Sequence, residues 1–168
     1  MGTETERRFL VGSNEWRALA TGVPYEQAYM RRDKGRTVRV RIAGDEAFLT
    51  IKGATAADGI SHPEYEYKIP KSDAREMLDT LCLPGNIEKT RSRVPFGGMV
   101  WEVDEFKGAN AGLLIAEVEM PSADYALKLP AWVGAEITGD GRYSNAELSK
   151  TPYSQWKQDV KKCQTPTR

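Results

Sequence analysis

Two pairs of carboxylates stand far apart in the chain with the same one-residue spacing: Glu4-Thr5-Glu6 near its start and Glu117-Val118-Glu119 late in it. Residues two apart in a strand point to the same side, so each pair presents both carboxylates on one face. Arg8 continues the first face, while Thr5, Arg7, Phe9 and Val11 share the other. Two such pairs on two strands offer an all-oxygen grip on hard divalent cations. A solvated edge is the plain alternative for residues 4–8, but the run 113–120 around the second pair is too apolar for an exposed edge.

Basic residues recur with the same parity. Arg39 and Arg41 share a face of 37–42 opposite Val38, Val40 and Ile42; Thr50 and Lys52 share one in 47–52; Lys89, Arg91 and Arg93 share one in 87–94. Acidic faces recur too, with Glu64 and Glu66 in 64–69 and Glu102 and Asp104 opposite Trp101 and Val103 in 99–106. Most half-buried sheets turn their polar face to water, which gives one account of these stripes. The other is an antiparallel barrel, with helices covering the apolar faces from outside and the charges pointing inward. About eight strands closed on themselves leave a lumen for side chains or one small ligand. Burying an unpaired ion costs on the order of 20 kcal/mol in the idealised limit, so inward charges must face opposite charges, water and a ligand. Such a lumen suits a polyanion held by Arg forks and Lys point charges, with divalent cations bridging it to the carboxylates. Oxygen ligands without Cys or His fit magnesium or manganese rather than zinc.

The elements that must position these residues are punctuated by turn signals. Ser13 is placed to cap a short helix over 14–20, ended by Gly22 and Pro24. Residues 25–31 read weakly as a strand, and Arg31 and Arg32 as part of a solvated turn with Asp33-Lys34-Gly35. Residues 53–61, rich in Gly, Ala, Thr and Asp, read as a loop without a phosphate-cradling G-x-x-x-x-G-K-[ST] pattern. Pro63 opens the strand 64–69. Lys71-Ser72-Asp73 then starts a helix whose apolar residues are Ala74, Met77, Leu78 and Leu81, stopped by Pro84-Gly85. Phe96-Gly97-Gly98 is a hairpin turn, Ser122 caps a short helix over 124–129, and 138–141 turns ahead of 142–145. Beyond residue 150 the tail 151–168 reads as helical or frayed, interrupted by Pro152.

The chain of 168 residues is long enough for one domain, read as a body over 1–150 and that tail. Lys plus Arg and Asp plus Glu both total 24, which disfavours a sequence-blind nucleic-acid binder. Cys82 and Cys163 sit in no metal-ligand spacing and read as ordinary thiols of a reduced, cytoplasmic protein. No stretch approaches the roughly 18 apolar residues of a membrane span, and the acidic start lacks a signal peptide's basic and apolar regions. The one histidine, His62 beside Pro63, reads as a loop residue, which leaves no Ser-His-Asp or His-rich site.

In order along the chain, Glu4-x-Glu6-x-Arg8, Arg39-x-Arg41, Thr50-Ile51-Lys52, Glu64-Tyr65-Glu66, Glu88-Lys89-Thr90-Arg91, Trp101-Glu102-Val103-Asp104, Glu117-Val118-Glu119 and Arg142-Tyr143-Ser144-Asn145 resemble the CYTH domain, the triphosphate tunnel metalloenzymes, to about residue 150. The resemblance implies an α+β, mainly β fold: an eight-stranded antiparallel closed barrel, the tunnel, with helices packed outside. It implies metal binding by Glu4, Glu6, Glu117 and Glu119 with Asp104 as a further ligand, and phosphate binding by Arg8, Arg39, Arg41, Lys52, Lys89 and Arg91. Lys89, Glu4 and Glu119 carry catalysis in that scheme. Glu64, Glu66, Glu102, Arg93 and Arg142 match less defined positions, Arg142 near the tunnel mouth. The implied activity is Mg2+- or Mn2+-dependent hydrolysis of a linear triphosphate, most simply inorganic tripolyphosphate to pyrophosphate and phosphate, with one ion polarising the substrate and a second positioning water. A class IV adenylate cyclase, a thiamine or nucleoside triphosphatase, and a non-catalytic polyphosphate- or nucleotide-binding module are the alternatives. The expected partner is a triphosphate-containing small molecule, not nucleic acid or membrane, and a homodimer stays open. Arg8 departs from the family's ExExK signature, replacing a compact ammonium by a planar fork.

Overall fold

The computed structural model describes residues 2–156. Cys163 and the rest of the tail over 157–168 lie outside the described residues. Nine strands run antiparallel to their neighbours: β1 (Gly2–Val11), β2 (Val23–Asp33), β3 (Arg36–Ala43), β4 (Glu46–Gly53), β5 (Ser61–Ile69), β6 (Ile87–Phe96), β7 (Met99–Phe106), β8 (Leu114–Glu119) and β9 (Val133–Glu136). The helices α1 (Lys71–Thr80) and α2 (Asn145–Lys150) accompany them. Eight strands close a ring in the order β1-β5-β4-β3-β2-β6-β7-β8 and back to β1. Closure falls on β1, whose Gly2, Thr3, Glu4 and Thr5 lie opposite β5 while residues 6–10 pair with β8. Beyond the end of β5, β9 takes over the same edge of β1 opposite Phe9 and Val11.

The apolar strand faces are covered from outside, as the parity of the charges requires. Ala28, Val40, Ile42 and Ala47 of β2–β4 pack under Ala74 and Leu78 of α1. Phe9, Val94, Trp101, Val103, Ala116 and Val118 pack under Trp16 and Trp132, which come from the connections after β1 and before β9. Trp101 is flanked by Phe9 at 5.6 Å and by Trp132 at 5.9 Å between ring centroids.

A third cluster differs in kind. Leu10, Ile87, Phe106 and Ile115 occupy inward-parity positions at one end of the ring and pack with Leu113, Ile137, Leu148, Tyr143, Tyr153 and Trp156. The inward rows are thus ionic for most of their length and apolar at this end, where the chain after β9 plugs the barrel. The segment 151–156 therefore takes part in closing that end through Tyr153 and Trp156.

Several local expectations are revised. Residues 14–20 form only a 3-10 turn, Glu15–Ala18, and Asn14 rather than Ser13 precedes it without a side-chain cap. Trp16, 3% exposed, pins this turn into the core, and four residues are too few to nucleate an α-helix. Residues 124–129 are not helical: a turn after Ser122 leads into irregular chain toward β9, a strand the sequence did not signal. Leu127 packs on the outer tryptophan cluster from that segment, and tertiary packing overrides the weak local helix signal. Leu81 lies just past α1 and is 61% exposed, while Cys82 joins the packing instead. Arg32 lies in β2 rather than a turn, and its guanidinium donates to Pro84 O at 2.8 Å and Ser149 Oγ at 2.9 Å, tying α2 to the wall. Among the described residues no helix is long and apolar enough to cross a membrane.

Candidate active site

The inward rows enclose a cavity of about 1450 Å³. Strand register sets which charges meet across it. Glu6 lies directly opposite Glu119 and Arg8 opposite Glu117, so the two carboxylate pairs of β1 and β8 stand side by side. Lys52 lies opposite Glu64, Thr50 opposite both Arg39 and Glu66, and Arg93 and Arg91 opposite Glu102 and Asp104. Directly opposed side chains sit close enough to interact, so Lys52, Arg91 and Arg93 find a counter-charge on the next strand, whereas Glu6 faces Glu119 and Glu102 faces Glu117.

One half of the lumen is acidic. Lys52 Nζ donates to Glu4 Oε2 at 3.0 Å, and His62 Nε2 approaches the same oxygen at 2.9 Å. His62 is therefore no loop residue: it is the second residue of β5, and its side chain is only 11% exposed. Burial pushes the Glu64 carboxyl up to about 7, helped by its hydrogen bond with Glu4 and opposed by Lys52. Burial also works against Glu4, but hydrogen bonds with His62 and Glu64 and the Lys52 ammonium hold it well below the usual carboxylate range. Glu6 is pushed up by burial and by Glu117, and Glu119 by burial and by Glu4, Glu6 and Glu102. Against its burial, Glu117 is by contrast held low by Arg91, Arg8 and Lys89. Glu6 and Glu119 are thus the carboxylates short of counter-charge, and oxygens in that condition fit a hard divalent cation.

The other half is basic. Arg39 Nη2 donates to Thr50 Oγ1 at 3.1 Å, and Thr50 Oγ1 donates in turn to Glu66 Oε2 at 2.9 Å. Arg39 is 6% exposed and lines the cavity, yet its Nε has no hydrogen-bond partner. Arg41 donates from Nε to Gln27 Oε1 at 3.1 Å, and burial together with Arg39 and Arg91 lowers its pKa. Tyr25, on the inward face of β2, lies 5.2 Å from each of the Arg41 and Arg91 guanidinium carbons, a double cation–π contact invisible in the sequence. Arg8 reaches Tyr143 O at 2.9 Å through Nη2 and approaches Glu117 at 3.4 Å through Nε. The fork that replaces the signature lysine thereby ties the lumen to the plug.

Behind this surface lies a fully enclosed layer. Asp104 accepts from Lys89 Nζ at 2.6 Å and from Arg91 at 2.7 and 2.8 Å, so both its oxygens are engaged. Lys89 and Asp104 are each 1% exposed and do not line the cavity, whereas Arg91 does, and it also donates to Glu102 and Glu117 at 2.8 and 2.7 Å. Burial opposes ionisation of both partners, but Arg91 and Lys89 hold Asp104 well below its ordinary range. Burial leaves Lys89 below the usual lysine range, with Asp104 pulling it back. Lys89 also meets Asn145 Oδ1 at 3.3 Å. The remaining residues named from sequence reach the lumen's edge: Arg142 pairs with Asp140 at 2.6 Å and Arg93 with Glu102 at 3.9 Å, with side chains 68% and 70% exposed. Of the residues that sequence reasoning passed over, His62 had one available signal, its parity with Glu64 and Glu66.

A closed antiparallel barrel whose lumen carries carboxylates on one wall and guanidinium and ammonium groups on the other defines the architectural class. The chain matches the CYTH domain over residues 2–152 and belongs to that family. It is 48% identical over 158 residues to an inorganic triphosphatase of Acetivibrio thermocellus, covering 94% of this chain and 100% of that protein. It is 36% identical to an inorganic triphosphatase of Nitrosomonas europaea, covering 88% and 97% of the two chains. Among solved structures, an inorganic triphosphatase superposes with a TM-score of 0.61 at 32% identity, covering 89% of this chain and 95% of that one.

Proposed function

We propose that this protein hydrolyses linear triphosphates, inorganic tripolyphosphate foremost, to pyrophosphate and phosphate with Mg2+ or Mn2+ as cofactor. The observation that carries this reading is the juxtaposition in one lumen of a carboxylate wall, in which Glu6 and Glu119 are short of counter-charge, and a buried guanidinium row with an unpartnered Arg39 Nε. The two inorganic triphosphatases that cover nearly all of the chain support it.

Glu4, Glu6, Glu117 and Glu119 would hold the metal, which would supply Lewis-acid polarisation of phosphoryl oxygens and a water of lowered pKa. Arg39, Arg41, Lys52 and Arg91 bind the phosphate oxygens and fix the chain of phosphates along the lumen. When water attacks the terminal phosphorus, the P–O bond to the bridging oxygen breaks and negative charge grows on the departing pyrophosphate. Fixed guanidinium donors stabilise that charge without reorganising, because their own positions are set by Asp104, Thr50 and Gln27. Glu64, whose carboxyl titrates at about 7, is suited to accept the proton lost by the attacking water. Asp104 and Lys89 act from behind, Asp104 by orienting Arg91 and Lys89 by balancing its charge. A reduced thiol at Cys82 is consistent with a cytoplasmic enzyme.

Phosphate release from tripolyphosphate, ATP and thiamine triphosphate, each with Mg2+, with Mn2+ and with chelator, tests the proposal. Metal-dependent release fastest from tripolyphosphate supports it. Release confined to ATP or thiamine triphosphate reassigns the substrate, and binding without release from any of them leaves a non-catalytic module.

A further inference from the structure

We propose that Glu4, His62 and Glu64 form a mixed oxygen–nitrogen site that binds a borderline transition ion of the Zn2+ or Co2+ class, at the end of the lumen away from the apolar plug. The proposal rests on the reading of the lumen's carboxylates as metal-holding, and adds to it a site of different composition.

Three observations converge. One ligand atom each from Glu4, His62 and Glu64 lies within 4.8 Å of the other two, a separation that a single ion can span. The imidazole is delivered by β5 register, since His62 lies directly opposite Glu4 on β1 and two residues from Glu64 on its own strand. Residues two apart share a face, so His62 and Glu64 point the same way. Independently, the buried Arg39 has an Nε without a partner, and its Nη2, which donates to Thr50 Oγ1 at 3.1 Å, lies 4.0 Å from Glu64 Oε1. The unpartnered Nε calls for an anionic oxygen in the lumen that Glu64 also lines.

Chemistry separates this site from the carboxylates of β1 and β8. Magnesium dehydrates reluctantly and prefers oxygen, whereas a neutral imidazole raises affinity for ions late in the first-row series, with Zn2+ and Co2+ well ahead of Mg2+. Glu4 is shared between the sets, so an ion at His62 also engages the carboxylate that Lys52 holds at 3.0 Å. The Lys52 ammonium and the metal are therefore competing counter-ions of Glu4. Removing the ammonium should strengthen metal binding, and removing the imidazole should weaken it.

The chain contains one histidine, so the ring-nitrogen NMR signals of the untagged full-length protein report on His62 alone. Adding one equivalent of Zn2+ to metal-free protein should move one ring nitrogen to the position of a metal-bound imidazole, while Mg2+ in large excess should not. By calorimetry, losing a direct ligand costs at least as much as losing an outer partner, so His62→Gln should lower Zn2+ affinity by about 10- to 100-fold. Mg2+ affinity should change far less, and Lys52→Met should raise Zn2+ affinity. Unchanged ring signals with Zn2+, or equal Zn2+ affinity in wild type and H62Q, would overturn the site. Should H62Q fail to fold, the NMR titration of the wild type decides alone. Tripolyphosphate hydrolysis with Mg2+ is measured in parallel: an active wild type with silent ring signals sinks this site and spares the proposed function, and an inactive wild type with shifted signals does the reverse.

Discussion

Arg91 grips Asp104 with two parallel hydrogen bonds, Nε to Oδ1 at 2.7 Å and Nη2 to Oδ2 at 2.8 Å, across directly opposed positions of β6 and β7. Lys89 closes on the same carboxylate from a fully enclosed position. Replacing Asp104 by Asn leaves the buried Lys89 without its counter-ion and Arg91 with Glu102 and Glu117 alone, a loss of about 3–5 kcal/mol in stability by analogy with broken buried pairs. Urea unfolding monitored by tryptophan fluorescence checks this, and a change under 1 kcal/mol would mean that water or Glu117 compensates.

Glu119 shows the opposite balance. Its carboxyl is pushed up by burial and by Glu4, Glu6 and Glu102, so ionising it opposes folding of the metal-free protein. Glu119→Gln is expected to keep or slightly raise the thermal midpoint without metal, yet to cost about 100-fold or more in kcat. Phosphate-release kinetics beside a thermal melt separate the two effects. Near-normal turnover would remove Glu119 from the catalytic set.

The proton on Glu64 has a definite thermodynamic sign. The folded carboxyl titrates at about 7 against 4.5 for the free group, so between these values the folded protein holds a proton that the unfolded chain has lost. Its contribution to stability is therefore complete below pH 4.5 and is lost as pH rises through 7. Metal-free wild type should fall in stability relative to Glu64→Gln as pH is raised across that window. Metal binding at pH 6 should also release protons, detected by calorimetry in two buffers of different ionisation enthalpy. An equal heat in both buffers would contradict the assignment.

Arg39 has a free Nε in the lumen and a side chain already positioned by Thr50. Arg39→Ala should raise KM for tripolyphosphate by about tenfold or more, since a charged hydrogen bond contributes about 1.5–3 kcal/mol. An unchanged KM would count against a phosphate contact at this residue.

The plug makes a prediction about stability rather than chemistry. Leu148 of α2 is 1% exposed among Ile87, Phe106 and Ile115, so Leu148→Ala should cost about 2–5 kcal/mol. Denaturant unfolding measures the loss. A negligible effect would show that α2 is not part of the closed end.

The sequence alone determined the wall of the barrel. Alternation in residues 37–42, 87–94, 99–106 and 113–120 put Arg39, Arg41, Lys89, Arg91, Glu102, Asp104, Glu117 and Glu119 each on the charged face of its own strand, and the outer positions of Val40, Trp101 and Val118 follow from it. Alternation is a local property of the pleat, so it survives in the order of the letters. The structure decided what depends on partners distant in the chain. The irregular register between Tyr29 and Arg31 breaks the alternation of β2, which is why that strand read weakly and why Arg32 reaches the lumen side. β9 exists because the edge of β1 is bare beyond β5, a vacancy no local pattern announces. Asp104 and Glu117 look alike as letters, yet one is sealed behind Arg91 and the other lines the lumen, because depth along the barrel is fixed by register and by the plug. His62 stands beside a proline and a glycine-rich loop in the sequence, and only the pairing of β5 with β1 brings its ring to Glu4.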